Sequence, residues 1–167
     1  MTATPAASAT APVLGTASAP LPGSSAAPTS ERGGFDSAEA LSKAVVAALD
    51  AHDEAAARAL YPGDAVIDAF ATCKAARNLK SRLKLRRDAG LAGGKDEKLE
   101  WLALDRVPSP KRRKKGAEKD GCVFKEEIAI YALRVRVNVT KGKKPKKKWK
   151  KLDAIVFEGR WYLASEI

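Results

Sequence analysis

From residue 128 to residue 139 the chain alternates strictly. Ala129, Tyr131, Leu133, Val135, Val137 and Val139 fill one side, while Ile128, Ile130 and Ala132 on the other give way to Arg134, Arg136 and Asn138. Successive side chains of a strand point to opposite faces, so a period of two, rich in β-branched residues, predicts a strand and argues against a helix. The same pattern predicts that one end of this strand is covered on both faces and the other end on one. Alternation also marks residues 99–107, closed off by Pro108 and Pro110, then about 149–157 and 161–165, with 141–148 and Glu158-Gly159-Arg160 as connections. Successive strands joined by short connections predict an antiparallel sheet.

Upstream the period is helical. Asp36 followed by Glu39 gives a capping-box-like start, and Leu41, Ala44, Val45, Ala48 and Leu49 recur at helical spacing, which predicts a helix over 37–51. Asp53 caps a second, short helix through Ala56 and Leu60 that Pro62-Gly63 ends. Asp64 caps a third, in which Val66, Ile67 and Phe70 continue at helical spacing through Ala76, Leu79 and Leu83 to Gly90. The expected class is α+β, three N-terminal helices packed on an antiparallel sheet. Residues 1–34 form a separate unit: 24 of the first 30 are Ala, Pro, Ser or Thr and none is charged. Such a stretch has too few large apolar groups to offset its conformational entropy, so it reads as a disordered tail or linker ahead of one domain, 35–167.

Several chemistries are excluded by counting. The longest apolar runs, 44–49 and 128–133, are six residues, against the roughly 18 that a membrane-spanning helix needs. Two Cys and one His cannot build a Cys/His zinc site, so no metal and no cofactor is expected. No phosphate-loop, dinucleotide or Gly-x-Ser-x-Gly pattern occurs. His52 sits between two helices beside Asp53, where a surface turn is the expected setting. Cys73 and Cys122, 49 residues apart, are either a disulfide or two buried thiols.

Charge is distributed unevenly. Residues 31–70 hold 8 acids and 3 bases, residues 71–167 hold 12 acids and 28 bases. Two basic segments stand out. One is Lys111, Arg112, Arg113, Lys114 and Lys115; the other is 141–151, with eight Lys in eleven residues, among them Lys143, Lys144, Lys146, Lys147 and Lys148, and with Trp149 between the last of them. As open loops these would form one or two cationic tips that attract phosphates, anionic lipid or polysaccharide by charge. Lysines at hairpin tips also keep edge strands from aggregating.

Two strings carry a resemblance. AVVAALDAHDEAAARALYP (44–62) and FEGRWYLASEI (157–167), in the order helices then antiparallel strands, resemble the opening and closing segments of the nuclear transport factor two-like, or SnoaL-like, superfamily. The resemblance implies a cystatin-like cone: helices packed on a strongly curved sheet. Enzymes of that superfamily place Asp, Tyr or His inside the cone, and this chain matches none of their active-site patterns. A pocket here would draw on Tyr131, Arg134, Asp153 and Trp161, with Asp153 either lining it or pairing with Arg134 or Arg136 across the sheet. The Ala/Pro/Ser/Thr tail resembles the spacer of bacterial envelope lipoproteins, although residues 1–34 themselves carry neither a Cys nor a basic-then-apolar signal pattern. The resulting expectation is a non-enzymatic ligand- or partner-binding domain of the cell envelope or periplasm with basic surface loops. The alternatives are a cytoplasmic basic protein that binds nucleic acid or another polyanion, and an enzyme using the cone pocket.

Overall fold

The computed structural model describes residues 33–74, Lys80, Leu83, 97–142 and 144–164. The tail expectation, on residues 1–32, lies outside the described residues. Helix α1 (Ala38–Ala51) starts at Ser37, whose side chain accepts from the Ala40 N–H at 3.0 Å. The cap is therefore Ser37 and not Asp36, whose carboxylate instead accepts from Arg160. His52 ends the helix in the left-handed region, φ 52°, exposed as expected of a turn. Asp53 caps α2 (Glu54–Ala59) through the Ala56 N–H. The third segment, α3 (Asp64–Phe70), is capped by Gly63 with no side-chain bond; Asp64 is its first helical residue, where an acid suits the helix dipole.

The third helix is shorter than its spacing implied. At Ala71 the backbone becomes extended and Ala71–Cys73 form strand β1, paired antiparallel with β5 (Cys122–Phe124) in the register Ala71↔Phe124 and Cys73↔Cys122. Periodicity reports local preference, and a pairing with residues 50 positions away is invisible to it. Helical residues recur at Lys80 and Leu83; the rest of that predicted stretch lies outside the described residues. Cys73 and Cys122 face each other directly, Cα atoms 4.1 Å apart, and are disulfide-bonded.

The strands make two antiparallel sheets. A small one has the order β1-β5-β4, β4 being Glu118–Lys119. The large one runs β2 (Lys98–Arg106), β6 (Ile128–Lys141), β7 (Lys144–Phe157), β8 (Arg160–Leu163), with β3 (Lys111–Arg113) also paired to β6. The class, helices followed by mostly antiparallel sheet, is thus as expected. Two irregularities in the β2–β6 register, at Trp101/Ala103 and Leu104/Arg106, bend β2. By contrast β6 and β7 pair without a slip from Ala129↔Val156 to Lys141↔Lys144.

That register assigns the faces. One carries Leu133, Val135, Val137 and Val139 with Ala154, Leu163 and Leu99; all are buried, and α1 lies against β2, β6 and β8. Two polar contacts fix α1 there: Asp50 Oδ1 accepts from the Leu99 N–H at 2.6 Å, and buried Ser42 accepts from Trp101 Nε1 at 2.9 Å. On the opposite face the buried residues among those described sit at the inner end, Ile128, Ile155, Phe157 and Tyr162, where Phe70 stacks toward Phe157 and Phe124. Ala132 on that face is already exposed. The β8 edge is closed by Phe35, which exchanges two backbone hydrogen bonds with Trp161, and by Leu60, whose carbonyl accepts from Leu163. Gly34 enters under the Tyr162 ring at φ +85°, where an added Cβ would stand 2.7 Å from the ring.

Candidate polyanion-binding arm

The segment 141–148, expected as an open connection, is mostly strand. β7 begins at Lys144, directly opposite Lys141, so only two positions separate the paired ends, the first of them Gly142 at φ +71°. Primed two-residue turns need that positive φ, and they match the twist of the strands they join. Backbone pairing to β6 thus holds against lysine repulsion. Of the expected site residues here, Lys144, Lys146, Lys147 and Lys148 line this paired arm, and Lys143 lies outside the described residues.

The sequence from Arg134 to Leu152 holds ten basic residues and no acid. The pleat divides them. Lys146, Lys148 and Lys150 oppose Val139, Val137 and Val135 on one face; Lys147 and Lys151 share the other with Arg134 and Arg136. From Lys144 to Lys151 every residue of β7 is exposed. Among the described residues, none of these cations has a carboxylate partner. Arg136 and Arg134 instead place their guanidinium carbons 4.6 and 4.9 Å from the centre of the Trp149 ring. Trp149, 44% exposed, thereby holds two cations on the open face by attraction to its π system. The sequence shows Trp149 only as a neighbour of the lysines; its contact with two arginines of the adjacent strand depends on the register.

Pairing with Arg134 or Arg136 is one of the two roles the sequence offers Asp153. The register puts Asp153 opposite Ala132, and Arg134 and Arg136 turn toward the indole, so the ion pair is replaced by the aromatic contact. The proposed pocket fails for a related reason. Tyr131 and Trp161, rings 4.6 Å apart, lie on the face of Ala154 and Val156; Arg134 and Asp153 lie on the opposite face. Four side chains divided by a sheet cannot line one cavity. A cleft of about 240 Å³ occurs elsewhere, between α3 and the β7–β8 turn, lined chiefly by Ala65, Val66, Ala69, Phe157 and Tyr162, with Glu158 and Arg160 at its polar side.

The other basic segment is not a free tip. Lys111, Arg112 and Arg113 form β3 on Ile130, Ala129 and Ile128, the end of β6 remote from the arm turn. Arg112 donates to Glu127, a hydrogen bond that raises the arginine pKa above its usual value. Arg113 is half-buried. Lys114 and Lys115 remain exposed in the following turn. The two basic segments therefore make separate surfaces, and the arm is the larger and less neutralised. Among the described residues no group of three or more His, Cys, Asp or Glu is placed to hold a metal ion, and no helix is long and apolar enough to cross a membrane.

Comparison with protein-family models, with curated proteins and with solved structures finds no match to this chain. Function is therefore read from the surface itself.

Proposed function

We propose that this is a non-enzymatic binding domain that holds a polyanionic partner on the β6–β7 arm. The observation that carries the reading is the outer half of the hairpin: exposed cations on both faces of a paired strand, without a carboxylate among the described residues to neutralise them. A rigid array of this kind raises the local concentration of any dense negative surface, and does so without reading sequence. We read the bent sheet with α1 packed on it as the cone of the nuclear transport factor two-like superfamily, used here as a binding scaffold. A cell-envelope setting is supported by the Cys73–Cys122 disulfide, since such bonds persist in oxidising compartments, and by the lipoprotein-like tail. The exposed indole of Trp149 favours a second reading, single-stranded nucleic acid, on which a base would stack.

The test compares duplex DNA, single-stranded DNA and anionic vesicles across a salt series. If roughly five phosphates are contacted, log affinity for duplex DNA falls against log salt with a slope of about −4 to −5, alike for any sequence. Replacing Lys144, Lys146, Lys147 and Lys148 by Ser removes most of that slope and leaves the melting temperature nearly unchanged, because exposed lysines contribute little to folding. Binding confined to one DNA sequence, or binding untouched by the four substitutions, refutes the arm as a charge-reading surface.

A further inference from the structure

The arm has a second property besides charge: one of its backbone edges is open. Strand β8 covers β7 only over 154–157, and the last contact beyond that ladder is the Ala164 N–H donating to the Asp153 carbonyl at 2.7 Å. Among the described residues nothing pairs with the outer edge of β7 from Lys144 to Leu152. The Asp153 contact also fixes which groups that edge presents. In an antiparallel ladder, residues alternate between bonding one neighbour and the other. The carbonyl of Asp153 points away from β6, and the register runs without a slip from there to the turn, so the N–H and C=O groups of Lys151, Trp149 and Lys147 also point outward. Pro145 falls next in the series, where a missing N–H breaks no bond to β6. Lys144, of the other parity, bonds Lys141 and closes the turn.

We propose that this edge is a docking site for an extended, acidic segment of another protein, which adds to the sheet as a strand beside β7. The inference rests on the polyanion reading and names its partner. Strand addition supplies backbone hydrogen bonds irrespective of sequence, and the flanking side chains select the occupant. Here Lys146, Lys148 and Lys150 flank an incoming strand on one face, and Lys147 and Lys151 on the other. Cross-strand like charges are destabilising and opposite charges stabilising. A second copy of β7 would set lysine beside lysine on both faces and is excluded. A strand with carboxylates at successive positions is accepted, and an apolar residue at its centre rests beside Trp149. Side chains that guard an edge against neutral strands thus admit one class of strand.

The probe is the blocked heptapeptide Thr-Glu-Glu-Val-Glu-Glu-Thr, titrated onto the full chain. We expect saturable binding that weakens with salt. Methylating alternate backbone nitrogens of the peptide, so that its edge-facing N–H groups are lost, lowers affinity about tenfold or more, as for loss of one or two hydrogen bonds in a dry contact. Methylating the intervening nitrogens leaves affinity unchanged. On the protein, Lys147→Pro, which removes an outward N–H, weakens binding about tenfold more than Lys147→Ala, which loses the same charge. Equal loss from both methylation series, or equal loss from the two Lys147 variants, overturns strand addition while the charge reading stands. Tighter binding of DNA or anionic vesicles than of the peptide at matched charge overturns the choice of partner. Absence of binding to peptide, DNA and vesicles alike removes the polyanion reading itself.

Discussion

Strands β6 and β7 are each 14 residues long and pair residue for residue, yet over their outer halves one is core and the other is surface. Val135, Val137 and Val139 are buried; Lys150, Lys148 and Lys146 directly opposite them are exposed. Pairing partners share a face, so the pleat cannot cause the difference. Position in the sheet does: β6 lies between β2 and β7 and under α1, whereas nothing flanks β7 beyond Asp153 among the described residues. Hydrogen bonding holds a strand in place, and its neighbours on either side decide whether it is buried.

The sharpest way to break that comparison is to place the same charge at both members of one pair. Val137→Asp buries an unpaired carboxylate and should cost about 3–5 kcal/mol in urea unfolding, while Lys148→Asp opposite it should stay within about 0.5 kcal/mol. Similar costs at the two positions would mean that the arm is packed against something. Next in size is the disulfide, which lies beyond the inner end of the hairpin. Replacing Cys73 and Cys122 together by Ser should remove up to about 4 kcal/mol on the chain-entropy account, with affinity of the arm for DNA unchanged. A drop in affinity would tie stability and binding to one region after all. Ser42→Ala should cost about 1–3 kcal/mol, because it strands the buried-side Trp101 N–H that holds α1 to β2. A smaller effect still should come from the largest side chain of the arm: Trp149→Ala should lose no more than about 1 kcal/mol, the worth of an exposed cation–π contact, while loosening Arg134 and Arg136.

The same contrast shows what the sequence made legible. β6 announced itself through six alternating apolar residues. Helix α1 did so through Leu41, Val45 and Leu49, because a buried face leaves a periodic trace. β1, β3 and β4 left none: Lys-Arg-Arg is a strand because residues 128–130 need a partner, not because of its own side chains. The outer half of β7 resembles a loop in sequence for the same reason, since its pairing comes from β6 and its side chains are exposed. Composition located the cations of the candidate site. What it could not show was the face that each occupies, which set Arg134 on Trp149 instead of on Asp153 and separated Tyr131 from the pocket imagined for it.

The two-way backbone bridge between Phe35 and Trp161 brings the first of the described residues alongside β8. Neighbouring ends make the order in which the chain visits its elements partly exchangeable. A rearranged chain that joins residues 164 and 33 through a short flexible linker, and opens instead at the Gly142 turn, keeps every strand pair of both sheets. It would present the arm as two free ends, turning a closed loop into a pair of tails to which other modules can be fused.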